Sequence, residues 1–224
     1  MKRKTILLTS LLVLFFANLS QAQNIALLFK SKGDVEVKKQ NSTNFQKGKK
    51  GSRFKNGDVL RTGKAGQAAL VFTDDKTLMR IWGNSNITIH GKKEDKSIVK
   101  RIEMTSGLLF FNVRKRQKTA IRLETPYGVA TIKGTSGLAR IDETLKALFL
   151  TVFDGIVDLA NQFAQSQIVA GQTGKSDGQN IDVQNTQNNN LPAEFQGAQG
   201  FSIEFRDAKG AIKNLIIQQE DQEQ

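Results

Sequence analysis

Few residues in this chain carry side chains that make or break bonds, and their spacing suits that chemistry poorly. His90 is the only histidine; on an alternating run it shares the face of Asn86 and Thr88, opposite Ile87 and Ile89, which makes it a solvated strand residue rather than a general base. One histidine cannot build a His-rich metal site. Asp74 and Asp75, like Glu94 and Asp95, are adjacent carboxylates in turns. Neighbours on extended chain point apart, whereas acid–base chemistry needs two carboxyls converging on one bond. Asp34, Asp58 and Asp154 could gather around calcium, yet the glycine beside each explains it as a turn former. Gly174, Lys175 and Ser176 end like a phosphate loop, but Val169 stands where its first glycine is required. Residues 134–137 lack the Gly-x-Ser-x-Gly spacing of a hydrolase elbow. The chain therefore reads as non-enzymatic, with no catalytic residue, metal ligand or cofactor site expected.

What remains is charge. The 224 residues hold 33 Lys and Arg against 21 Asp and Glu, a formal net charge of +12. The basic groups cluster at Lys47, Lys49 and Lys50, at Lys92 and Lys93, and at Arg114, Lys115, Arg116 and Lys118. These are the candidate binding residues, and an anionic envelope glycan or an acidic protein is the partner they fit. Lys-rich turns also keep strand edges soluble and discourage edge pairing, so the same residues have a purely structural explanation. Nucleic acid is not expected, because no aromatics interleave with the basic groups as base stacking needs. There is no cysteine, which excludes disulfides and thiolate chemistry and leaves packing to hold the fold.

The elements that must position these residues are strands. Val35 and Val37, Ile87 and Ile89, and Ile121 and Leu123 alternate with polar neighbours, the period-two mark of a half-buried strand. The runs at 68–72, 108–111 and 147–153 are apolar on both faces and are expected as interior strands. Many short strands separated by Gly-Asp and Asp-Gly turns predict an all-β fold.

One stretch, residues 125–137, joins two such runs through a turn few sequences could make. Pro126 sets its own φ and extends Thr125, and Gly128, Gly134 and Gly137 admit positive φ. The chain also carries Gly57, Asp58, Thr62 and Gly63 as Gly-Asp-x-Leu-x-Thr-Gly from 57 to 63, Gly107 after Met104, Thr125, Pro126 and Gly128 followed by Gly134 and Thr135, and Gly155 before Val157. In this order and spacing, residues 33–172 resemble the FecR domain family. The resemblance implies a periplasmic fold of β-solenoid or β-sandwich type, used in its best-known members for signalling across the inner membrane. Lys76 follows Asp75 where the family usually has glycine, and Ser136 and Gly137 stand where a Glu-Phe pair is common.

Residues 1–22 read as a secretory signal, with Lys2, Arg3 and Lys4 before an apolar run and cleavage between Ala22 and Gln23. That run is shorter than the roughly 20 residues that span a bilayer. A periplasmic or secreted protein is expected, with no transmembrane segment after cleavage. Only a few residues precede the apolar run, so the cytoplasmic segment of signalling members has no expected counterpart and their transmembrane mechanism is not expected to carry over. The domain organisation expected is a FecR-like β domain at 23–172, a polar linker at 173–190, a short helical turn plus β-hairpin at 191–218, and a disordered tail at 219–224. Two functions follow: a binding or sensing module that engages another envelope protein, or a structural protein held to anionic cell-wall glycan by its basic turns.

Overall fold

Alternating runs become strands throughout the computed structural model, which describes residues 24–94, 97–113, 120–187, 201–206 and 212–217. In chain order they begin with β1 (Ala26–Lys32), β2 (Val35–Lys38), β3 (Phe45–Lys47), β4 (Arg53–Phe54), β5 (Asp58–Thr62) and β6 (Gln67–Phe72). Two long strands follow, β7 (Leu78–Glu94) and β8 (Ser97–Asn112). Then come β9 (Ile121–Thr125), β10 (Gly128–Ile132), β11 (Ser136–Asp142), β12 (Ala147–Asp154) and β13 (Ile156–Ala160). The main sheet ends with β14 (Gln165–Val169), β15 (Gln172–Ser176) and β16 (Ile181–Asn185), and β17 (Phe201–Arg206) pairs with β18 (Ile212–Ile217) in a separate ribbon. The fold is all-β, as expected, and its sheet is mixed because β8 and β9 run parallel.

The long hairpin of β7 and β8 folds one sheet into two layers. β6 pairs with the first half of β7, Leu70 opposite Met79, whereas β5 pairs with the second half, Leu60 opposite Ile87. β8 divides in the same way, with Leu109 opposite Ala139 of β11 and Ile102 opposite Leu123 of β9. The corner falls where the register shifts between Trp82 and Asn86. There Gly107 takes φ +98°, and a Cβ on it would lie 2.0 Å from Ser85 Oγ, so only glycine fits. Two hydroxyls replace the interrupted ladder: Ser85 N donates to Thr62 Oγ1 at 3.0 Å, and Leu108 N donates to Ser85 Oγ at 3.0 Å. Thr62 Oγ1 also donates to Trp82 O at 3.0 Å, which accounts for a threonine at this motif position.

One face of each layer builds the core. Leu28, Leu70, Phe72, Ile81, Phe111 and Leu150 of the first layer and Leu60, Ile89, Ile102, Leu123, Ile132 and Leu159 of the second belong to one buried cluster. At about 1.5–3 kcal/mol for each fully buried large apolar side chain, this face supplies the main driving force for folding. The three runs read as doubly apolar all lie in the first layer, and their outward residues Leu108, Phe110 and Phe149 are buried as well. Arg80 stacks over Phe110 at 5.9 Å and Arg140 over Phe149 at 4.4 Å, the cation–π contacts covering part of that outer face.

Three expectations need correction. The stretch 173–190, read as a linker from its polar composition, contains most of β15 and all of β16, and the main sheet runs on to Asn185. Its inward positions are small rather than apolar: Gly174 and Ser176 are buried, and a Cβ on Gly174 would lie 2.2 Å from Ile168 Cδ1. Small residues under a large neighbour conceal the alternation that marks a strand. Gly137 does not take positive φ; its Cβ would lie 2.5 Å from Thr151 O and 2.6 Å from the Phe111 ring. The glycine there makes room for Phe111. Finally, Asp74 and Asp75 do not point apart, since both reach Lys100.

At the position where the family usually has glycine, Lys76 adopts φ +62°, so the turn keeps its left-handed backbone without the residue that makes it easy. The hairpin expected near the C-terminus pairs as read, Phe201 opposite Ile217. The signal segment with Ala22 and Gln23, the helical turn at 191–195 and the tail at 219–224 lie outside the described residues.

Candidate functional site

The turn between β9 and β10 stands at the centre of an interlocked corner. Thr125 Oγ1 accepts from Tyr127 N at 3.2 Å and donates to Gly128 O at 2.8 Å, closing the tight turn that Pro126 opens. Buried Ser176, from the first layer, donates through Oγ to Tyr127 O at 2.5 Å and receives Asn161 Nδ2 at 3.2 Å. Asn161 Oδ1 in turn accepts Phe163 N and Ala164 N, each at 2.8 Å. Asp177 Oδ1 accepts Gln179 N at 2.8 Å and Asn180 N at 2.7 Å. Those two amides hold its carboxyl below the usual range. Three turns from two layers are thus locked through one serine hydroxyl.

They enclose an open groove of about 740 Å³ lined by Arg122, Pro126, Tyr127, Phe163, Asp177 and Gln179 among others. Phe163 is 69% exposed, although its backbone is pinned by Asn161, so an aromatic ring is presented on a rigid rim. Beneath lies a charged ladder on β8 and β9. Glu124 receives Arg122 Nε at 2.8 Å and Arg101 Nη1 at 3.0 Å. Burial pushes its carboxyl up, but the two guanidiniums outweigh that and hold it low. The groove offers an aromatic platform, amides, a cation and a carboxylate. These are groups for recognition, and the chain's only histidine is elsewhere.

His90 lies on β7, half-buried, with Nε2 3.1 Å from Glu103 Oε1 but without hydrogen-bond geometry. It is less solvated than its alternation implied. Among the described residues no three His, Asp or Glu side chains gather as metal ligands would. The basic candidates do not converge in one described patch. Lys47, Lys49 and Lys50 are exposed around β3 and the loop after it, with Lys50 Nζ 5.9 Å from the Phe29 ring. Lys92, also exposed, lies within β7 rather than in a turn, 3.4 Å from Glu94. Lys93 pairs through its backbone with Ile98, and Arg114, Lys115, Arg116 and Lys118 lie outside the described residues.

The motif residues, in contrast, are structural knots. Asp58 is 2% exposed and binds Lys39 Nζ, Gln40 N and Lys55 N. Gly57 and Gly155 occupy positive φ beside them and at the start of β13. Gly63 O accepts Gly66 N and Asn84 N, tying β5 to the corner. Thr135 Oγ1 donates to Ile156 O at 2.8 Å, and Val113 N donates to Thr135 O at 3.0 Å. The groove residues Asn161, Phe163 and Asp177 escaped the sequence reading. An Asn two residues before an exposed Phe was the one available sign.

The strands define a two-layered, all-β module with an open groove at one corner. Residues 58–158 match the family model described as FecR protein, so the resemblance carried by the motifs stands. Two crystal structures of a candidate anti-sigma factor from Parabacteroides distasonis are similar at 16% identity, with TM-scores of 0.49 and 0.48. Each similarity covers 57% of this chain and 59% of the other, so the chain spans about three-fifths of the solved chains it matches. No curated protein matches the chain. Among the described residues no helix is long and apolar enough to cross a membrane.

Proposed function

We propose that this chain is a non-catalytic FecR-type binding or sensing module, periplasmic or secreted after cleavage between Ala22 and Gln23, that engages another protein of the cell envelope. The observation that carries this reading is the edge strand β16. It pairs only with β15 among the described residues, and Asp182, Val183 and Gln184 along it are exposed. An open edge offers main-chain donors and acceptors to an added strand. Consecutive N–H groups on an edge strand point alternately inward and outward, so Val183→Pro and Gln184→Pro remove one of each kind. Capture of envelope proteins from an extract should be lost with the outward-facing proline while the fold is kept. Equal capture by both folded variants and the parent chain would exclude this edge.

Charge supports a second reading. Between residues 24 and 66 there are eleven Lys and Arg against three Asp and Glu, which favours an anionic cell-wall glycan bound by the basic turns. The readings differ in salt response. The screening length falls from about 10 Å at 0.1 M salt to about 3 Å at 1 M, so glycan retention should weaken sharply and strand addition should not. Capture that is unchanged across that range excludes the glycan.

A further inference from the structure

Lys100 is 1% exposed and points into the core from the half of β8 that belongs to the second layer. Its strand neighbours on the same face are buried Ile98 and Ile102, and its Nζ lies 5.2 Å from the Phe72 ring centroid. Two carboxyls meet it from the turn between β6 and β7, in the first layer. Asp74 Oδ2 lies 2.7 Å from Nζ, Asp75 Oδ2 is in contact with it, and the two side chains are only 9% and 18% exposed. Each carboxyl is held by an amide: Ile98 N donates to Asp74 Oδ2 at 2.9 Å and Thr77 N to Asp75 Oδ1 at 2.7 Å. Asp74 Oδ1 is buried and has no hydrogen-bond partner among the described residues.

An ion pair needs one carboxylate for one ammonium. Here a second carboxyl shares the largely buried site, and burying such a group without a matching charge is unfavourable. An amine, a carboxyl polarised by an N–H and a second carboxyl able to carry a proton are the groups that amide formation requires. We propose that Lys100 and Asp75 condense into an intramolecular isopeptide bond, with Asp74 as the general base and acid.

The Lys100 ammonium first passes one proton to Asp75 Oδ2, leaving an amine and a carboxylic acid. Nζ then attacks Asp75 Cγ while Thr77 N–H stabilises the charge developing on Oδ1. Asp74 takes a second proton from Nζ and returns it to Oδ2, which departs as water. One C–N bond forms, one C–O bond breaks, one water leaves, and no oxidant is needed. The product joins the two layers covalently through the core of a chain that has no cysteine.

The test is mass spectrometry of the purified full chain, with its N-terminus determined separately because a terminal Gln23 can itself lose ammonia. The expected mass is below the calculated one by one water, about 18 Da, and digestion should yield a branched peptide joining Lys100 to Asp75. Lys100→Arg should restore the calculated mass and Asp74→Ala should prevent the link, each checked for folding by circular dichroism. Asp75→Asn should still condense but lose ammonia, about 17 Da. A folded parent chain at its full calculated mass overturns the proposal, as does a mass loss that survives in Lys100→Arg.

Discussion

Replacing Asp58 with alanine tests whether the Gly-Asp motif is a structural knot or an ordinary surface turn. Its carboxylate is 2% exposed and accepts Lys39 Nζ at 2.7 Å, Lys55 N at 2.9 Å and Gln40 N at 3.1 Å. Alanine leaves two main-chain N–H groups without partners in a partly buried site, at about 1–1.5 kcal/mol each. The Lys39 pair adds little, because that side chain is 50% exposed and retains its bond to Arg53 O. The sum is about 3 kcal/mol, and at roughly 2–4 °C per kcal/mol for a chain of this size the midpoint should fall by roughly 6–12 °C. Thermal and urea unfolding followed by far-UV circular dichroism at neutral pH measure it. Asp58→Asn keeps one acceptor oxygen and should cost about half as much. If the alanine variant unfolds within about 0.5 kcal/mol of the parent, Asp58 does not organise this corner and the reasoning from its partners is wrong.

Other consequences are open to the same assay. Gly134→Val should destabilise by about 1–3 kcal/mol, since Gly134 takes φ +66° and a β-branched residue resists that region; an unchanged melting temperature refutes it. Gly137→Ala should cost a similar amount for a steric reason, and combination with Phe111→Leu should recover part of the loss, whereas simple additivity would exclude the contact. Asp142 accepts Leu145 N and Thr144 N and pairs with Arg140, and these hold its carboxyl below the usual carboxylate range. A lowered folded pKa gives stability that is present above the unfolded value and lost as pH falls through the folded one. Asp142→Ala should therefore be less stable than the parent at pH 7, and the gap should close as acidification takes the pH down through the lowered folded value. A gap that persists in strong acid contradicts this.

Much of the fold was legible because strand alternation is local. Ile87 and Ile89, or Ile121 and Leu123, report their inward face to a reader who knows only their neighbours in sequence, and they do line the core. The same rule failed at Gly174 and Ser176. There the inward residues are small because Ile168 fills the space above Gly174, a fact held by another strand. It failed again at Asp74 and Asp75, where extended-chain geometry was assumed and a turn instead aims both carboxyls at Lys100.

The amino-acid order by itself determined the all-β class, the doubly apolar interior strands and the motif resemblance, since all three depend on residues near one another in the chain. Only the tertiary structure decided that one sheet folds at Gly107 and Ser85 into two layers, that Ser176 locks the Thr125 turn to the Asn161 loop, and that Lys100 meets two carboxylates. Each of these joins positions far apart in sequence, and side-chain periodicity carries no information about which distant strand lies opposite.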